Sequence, residues 1–277
     1  RFFDDRLKYL SFIQNTSEKR AISEQLAPHI ASMEQNRTFL RVLDAGTGDG
    51  TVKSNVIKTF HKYHPYTSLL ITGKEISYED LKNTLEKMPD RFVEHPNLLV
   101  TMTNVKFAEL GHIESSNKIK GKNVKSYTLV LKDDNSFDFH AQINKLNSFI
   151  KKNWGIEIDN KSRTSYANPC IIRIYREDHK RYIEPFIDND YKNNNYDLII
   201  ASQAYRAASE VKTKVNNVIA PLMRLLNKSG KLLVTHSCGG DTVEKILKVA
   251  WKDKNPFPNK AKDIIEFLKN NPVGENN

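Results

Sequence analysis

The feature that most constrains the fold is the run from Phe39 to Gly50, FLRVLDAGTGDG, an apolar stretch that breaks into glycines at 46, 48 and 50. Such a break is expected where a buried strand ends and a helix begins. Glycine lacks a Cβ, so the chain can turn through positive φ and a ligand can lie against the main chain. Val52, Val56, Ile57 and Phe60 recur at helical spacing, which opens the loop onto a helix N-terminus with free amides pointing into it. A second apolar run, Leu69-Leu-Ile-Thr, leads into Gly73-Lys74-Glu75. An acid just past the second strand of a βαβ unit is placed to accept both hydroxyls of a ribose. The two strands together read as a nucleoside site.

The loop narrows the nucleoside. The dinucleotide pattern G-x-G-x-x-G is absent, because Gly50 follows Gly48 by two residues and not three. Asp44 and Asp49 bracket the glycines, and two carboxylates repel a pyrophosphate but attract a sulfonium or amino cation. Asp-x-Gly-x-Gly-x-Gly followed by Glu75 resembles motif I and its sequel in the class I S-adenosylmethionine-dependent methyltransferases. The resemblance implies an α/β fold, a doubly wound, mostly parallel Rossmann-like sheet, with S-adenosylmethionine as cofactor. It assigns the methionine end of that cofactor to Asp44, Ala45, Gly46, Thr47 and Gly48, and the ribose to Glu75 and its neighbour Ile76. The third strand, Asn97–Asn104, closes on Asn104 where the family usually has Asp toward the adenine amine. The Asn104 side-chain carbonyl can still accept.

Tyr196-Asp-Leu-Ile-Ile-Ala-Ser-Gln-Ala-Tyr205 is similar to the fourth strand of these enzymes, whose carboxyl end faces the transferred methyl. Ser202, Gln203 and Tyr205 are therefore candidates for cofactor and acceptor contacts. Lys231–His236 reads as the fifth strand, entered through the turn Asn227-Lys-Ser-Gly230, and His236 emerges at the same end as a base or hydrogen-bond donor. Tyr205 and His236 are the catalytic candidates. No metal site is expected.

A chain of 277 residues suits a full α/β core with an insertion. Residues 1–38 read as an N-terminal helical cap, with apolar spacing at 6–13 and again from Ile22 to Met33. Residues 39–105 and 196–277 form the cofactor-binding core. Between them, 106–195 is too long and too patterned for a loop. It offers strands at Tyr127–Leu131 and Cys170–Tyr175 and one helix over Phe137–Trp154, and reads as an inserted α+β subdomain. Pro221 is expected to kink a helix over Val211–Leu226, and Asp241–Trp251 reads as a further helix. Nothing in the sequence supplies the two final edge strands usual in the family.

Forty-three basic against 33 acidic side chains give a net charge of +10, which attracts polyanions. The lysines are dispersed, and their densest cluster, Lys118–Lys125, reads as a solvated loop, so nucleic acid is the less favoured partner. The two cysteines, Cys170 and Cys238, belong to no C-x-x-C pair and suit a reducing, cytoplasmic setting. No apolar run is long enough to span a bilayer. The missing initiator methionine reads as a chain beginning inside a longer one. The expected activity is methyl transfer to a small-molecule acceptor at nitrogen, in a layout similar to histamine N-methyltransferase-like enzymes. The alternatives are an RNA or protein methyltransferase and a non-catalytic cofactor-binding or scaffold protein.

Overall fold

The structure, a computed structural model, describes residues 17–113, 116–158, 164–186, 195–237, 245, 249 and 257–273. The helix expected at 6–13 and most of the one expected at Asp241–Trp251 lie outside the described residues. In chain order, α1 (Glu18–Ala31) precedes β1 (Phe39–Ala45), α2 (Thr51–Tyr63) leads to β2 (Ser68–Lys74), and α3 (Tyr78–Glu86) and α4 (Met88–Glu94) lead to β3 (Leu98–Thr103). A 3-10 turn (Phe107–His112) and a hairpin of β4 (Lys118–Ile119) and β5 (Lys122–Asn123) feed β6 (Lys125–Leu131). Then come α5 (Ser136–Ile143), α6 (Leu146–Asn153), a hairpin of β7 (Ile156–Ile158) and β8 (Thr164–Tyr166), β9 (Cys170–Arg176) and α7 (Lys180–Ile183). The chain returns through β10 (Tyr196–Ser202), α8 (Val211–Lys214), α9 (Ala220–Met223), β11 (Leu226–Thr235) and α10 (Ala261–Asn270).

Seven strands form one sheet in the order β11-β10-β1-β2-β3-β9-β6. The five from β11 to β3 are parallel. β9 runs antiparallel to β3 and β6 parallel to β9, so these last two strands point against the other five. The central strands are buried on both faces and carry continuous apolar runs, as sheets covered on both sides require. One face packs Val42, Leu69 and Val100 on Val56, Ile57 and Phe60 of α2. The other packs Leu43, Ala45 and Ile199 on Leu110, Val218 and Leu222. The architecture is α/β and doubly wound, and chain order reverses between β1 and β10, where such sheets bind ligands.

The 106–195 stretch was expected to stand as an inserted subdomain, yet it supplies β6 and β9 to the central sheet. The reason is in Cys170-Ile-Ile-Arg-Ile-Tyr, which is buried along nearly its whole length and needs a strand on either side of it. The single helix expected over Phe137–Trp154 is two, broken by a turn at Asn144–Lys145. Phe139, Ile143, Leu146 and Ile150 are all buried, so their continuous spacing hides the break. The Lys118–Lys125 segment is a hairpin and not a loop, with Ile119 packed into the core. Near Pro221 the helix takes a π turn, Val215–Ile219, where proline can offer no N–H to the ladder.

Candidate functional site

The glycine loop leaves β1 at its carboxyl end. Gly46, Gly48 and Gly50 all have positive φ, and at Gly50 a Cβ would lie 2.7 Å from the Thr84 Cα. Only glycine fits that position. The loop is tied down from several sides: the Gly46 and Thr47 amides donate to the Lys74 carbonyl at 3.1 and 3.0 Å. Gly50 N–H donates to the Thr47 carbonyl at 3.2 Å, and Thr84 Oγ1 to the Gly48 carbonyl at 3.0 Å. Gly48 N–H donates to Glu75 Oε2 at 2.8 Å. Four of the amides expected to be free, those of Gly46, Thr47, Gly48 and Gly50, are therefore already used within the protein, which leaves few for a phosphate.

Asp44 faces the opposite situation. It is 1% exposed, and its Oδ2 has no hydrogen-bond partner among the described residues. Burial raises its pKa, while the charge of Lys53 pulls it back. Lys53 is itself fully buried, with its pKa lowered by burial and its Nζ 3.2 Å from Met102 Sδ. Across the sheet Asp44 pairs with Gly73. A Cβ on Gly73 would meet Thr47 Oγ1 at 2.7 Å and Met102 Sδ at 2.8 Å, and would overlap the Lys53 ammonium. Gly73 is the room in which Lys53 reaches Asp44's side of the sheet. Helical spacing was the available signal for Lys53, which shares a face with Ile57 and Phe60, but a lysine so near a helix start reads as solvated.

The second loop carboxylate behaves differently. Asp49 is bound by Lys19 Nζ at 2.6 Å and lies 3.9 Å from Lys87 Nζ, and it accepts from Thr51 N–H and Oγ1. These cations hold its pKa below the ordinary range against the opposing effect of burial. Asp49 is therefore spoken for, and Asp44 alone of the pair has an open oxygen. Neither Lys19 nor Lys87 was identified from the sequence; both reach in from helix ends distant in the chain.

Glu75 is buried at the end of β2. Its Oε1 accepts from Ile76 and Ser77 amides, each at 2.8 Å, and its Oε2 from Gly48. A carboxylate offers about four lone-pair sites, so Glu75 keeps one, enough for a single hydroxyl and not both. Asn104 is also committed: its Nδ2 donates to the Asn168 carbonyl at 2.9 Å and its Oδ1 accepts from Cys170 N–H at 2.8 Å. It clamps the start of β9 to the end of β3, which takes up the carbonyl expected to face an adenine. Ala45 is wholly buried in the core, so only its backbone can serve a ligand.

β10 brings its end to the loop, with the Ser202 carbonyl and Ala204 Cα 3.7 and 3.6 Å from where a Gly46 Cβ would stand. Gln203 adopts φ 51 and its side chain bonds Glu18 of α1. Tyr205 and His236 do come together: the hydroxyl lies 3.4 Å from His236 Nδ1, and His236 Nε2 lies 2.9 Å from the Asn259 carbonyl. A carbonyl only accepts, so Nε2 carries the hydrogen and Nδ1 is left to accept from the hydroxyl. Burial pushes the Tyr205 phenol up to about 12, which keeps it protonated near neutral pH. The pair is a hydrogen-bonded relay at the carboxyl ends of β10 and β11. Arg176 and His179, by contrast, sit at the other end of the sheet, where His179 Nδ1 meets Asn97 Oδ1 at 2.6 Å.

Among the described residues no His, Cys, Asp and Glu cluster could hold a metal ion, and no helix is long and apolar enough to cross a membrane. Cys170 is a buried free thiol. No family model and no curated protein matches the chain. Among solved structures it is similar to MNMC2 from Aquifex aeolicus, at 11% identity and a TM-score of 0.31, over 89% of this chain and 62% of that one. It is also similar to the rRNA methyltransferase aviRa from Streptomyces viridochromogenes, at 10% identity and a TM-score of 0.28, over 76% of this chain and 71% of that one. The chain thus spans less than two thirds of the first of these. At such likeness the chemistry has to come from the site itself.

Proposed function

We propose that the chain is an S-adenosylmethionine-dependent methyltransferase. The observation that carries the reading is the unpartnered, buried Asp44 Oδ2, at the carboxyl end of β1, beside a loop most of whose amides are taken. A buried carboxylate oxygen without a donor is costly, and a ligand bearing an ammonium and a nearby positive sulfur would offset that cost. A nucleotide phosphate would meet Asp44 with the Gly46, Thr47, Gly48 and Gly50 amides already taken. Asp44 would take the amino group, the Gly46–Gly48 backbone the methionine chain, and the remaining lone pair of Glu75 a ribose hydroxyl. When bound, the cofactor supplies an activated methyl group. The protein then has to align a nucleophile with it and exclude water, and positioning of this kind can supply about 7 to 11 kcal/mol in well-oriented systems.

The acceptor side is assigned to Tyr205 and His236, which orient the nucleophile by hydrogen bonding. The Tyr205 hydroxyl stays protonated near neutral pH and gives its hydrogen to His236 Nδ1, so toward the nucleophile its oxygen accepts from an N–H. A small-molecule nitrogen acceptor and a polyanionic one place different demands on the rim of the site. Equilibrium dialysis with radiolabelled S-adenosylmethionine tests the reading directly. Binding at micromolar concentration supports it, and retention of ATP in preference to the methyl donor sinks it.

A further inference from the structure

Because β9 and β6 run against the other strands, their starts lie at the carboxyl end of β3, on the same edge of the sheet as the glycine loop. Each is preceded there by a hairpin, β4–β5 before β6 and β7–β8 before β9. The two hairpins are fastened together: Lys122 Nζ donates to Glu157 at 2.8 Å and to the Ala167 carbonyl at 3.0 Å. Lys120 and Gly121, both at positive φ, form the tight turn favoured in two-residue hairpin loops. The result is a ledge beside the site. With neighbouring strands about 4.8 Å apart and β9 and β6 third and fourth from β1, it runs from roughly 14 Å to roughly 19 Å away from β1.

The ledge is basic. Lys106, Lys118, Lys120 and Lys125 are exposed and Lys122 is partly so. Against them the described residues of this region set Glu109, nearly buried beneath Lys120 at 2.8 Å, and Glu157. The Lys120 side chain remains 64% exposed even while paired. We propose that this ledge binds a single-stranded nucleic acid by its phosphates, and that a base of the same strand is the methyl acceptor. Phosphate contacts fix register and orientation without reading sequence, and the distance from the ledge to Asp44 is spanned by a few nucleotides. A base in a single strand can be turned out toward the site without breaking a duplex. The docking half of this inference stands on the ledge alone; the acceptor half rests on the methyl-transfer reading.

The test uses the full chain and fluorescein-labelled 20-nucleotide RNA and DNA strands of the same sequence, with phosphatidylserine vesicles as a third arm. Log affinity for a strand should fall linearly with log salt, with a slope of about −0.7 for each phosphate neutralised. The triple variant Lys106→Glu, Lys118→Glu, Lys125→Glu leaves the ion-paired Lys120 and Lys122 in place. It should bind the strand at least tenfold more weakly, with a slope shallower by about 2, and keep its melting temperature and its heat of S-adenosylmethionine binding. Preference for RNA or DNA names the source of the strand. Unchanged affinity and slope in the variant overturn the inference, as does a wild-type chain that binds neither strand at low salt, or one that binds only the vesicles. Loss of cofactor heat in the wild type would sink the methyl-transfer reading and leave the docking result readable by itself.

Discussion

At the amino end of the sheet, buried polar groups find partners within the protein. His64 Nε2 meets the Ile30 carbonyl at 2.8 Å, His61 Nδ1 lies 3.2 Å from His95 Nδ1, and Arg176 donates to Asp178 and to the Phe92 carbonyl. Among the described residues, what stays unpaired there are nitrogens, His64 Nδ1, His95 Nε2 and Arg91 Nε. At the carboxyl end the unpaired atoms among the described residues include a carboxylate oxygen, Asp44 Oδ2, which lies within the field of the buried Lys53. A neutral ring nitrogen without a partner costs about 1 to 3 kcal/mol and a charged group more. The contrast is one of sign: the amino end leaves nitrogens open, and the carboxyl end leaves a carboxylate oxygen open to a cation.

The largest expected effect breaks the carboxyl end. Gly50→Ala puts a Cβ against the Thr84 backbone at φ 77 and should cost about 2 to 4 kcal/mol from left-handed strain and overpacking, read by urea denaturation. Loss below 0.5 kcal/mol would mean that the loop is not as tightly held as described.

Acid should break the amino end first. Burial, then the neighbouring His61, lower the His95 pKa from 6.5 to about 4, with His64 and His179 also facing it. The unfolded chain takes this proton near 6.5 and the folded chain resists it until near 4, so stability falls as pH falls between those values. The loss amounts to about 3 kcal/mol. Melting curves from pH 7 to 4 should show it, and His95→Gln should flatten it. A variant as acid-labile as the wild type would shift the cause to other groups.

Glu75→Gln keeps a carbonyl able to accept two amides but puts a donor where the third, from Gly48, is accepted, and loses the charge. Cofactor affinity should drop about tenfold, near 1.4 kcal/mol, with a smaller effect on melting. Unaltered affinity would remove Glu75 from the site.

The smallest effect sharpens the comparison most. Removing two buried charges of opposite sign together is often neutral or stabilising, whereas removing one leaves the other uncompensated. The double variant Asp44→Asn, Lys53→Met should therefore melt no lower than the wild type while losing cofactor binding. A steep fall in melting temperature would make the pair a structural device.

The fold was largely legible in the sequence because β1, β2, β3, β10 and β11 each carry an apolar run that ends in a turn. β9 was legible as a strand but not as a sheet member, because antiparallel pairing across about 70 residues leaves no local mark. At the site, Asp44 and Glu75 were visible from position alone. What stayed hidden was how much of each carboxylate the protein uses itself. Lys19 and Lys87 neutralise Asp49, Asn104 is spent on β9, and Gln203 turns to Glu18, all through contacts between segments far apart in the chain.

Titration calorimetry of the wild type and Asp44→Asn with S-adenosylmethionine, S-adenosylhomocysteine and ATP tests the central claim most directly. Heat is expected with both sulfur compounds and none with ATP. Affinity is expected to weaken on acidification at a pH above the ordinary carboxylate range, since burial raises the Asp44 pKa, and to fall about 100-fold in the variant. Tight ATP binding, or an Asp44→Asn chain that binds S-adenosylmethionine as well as the wild type, would contradict the claim.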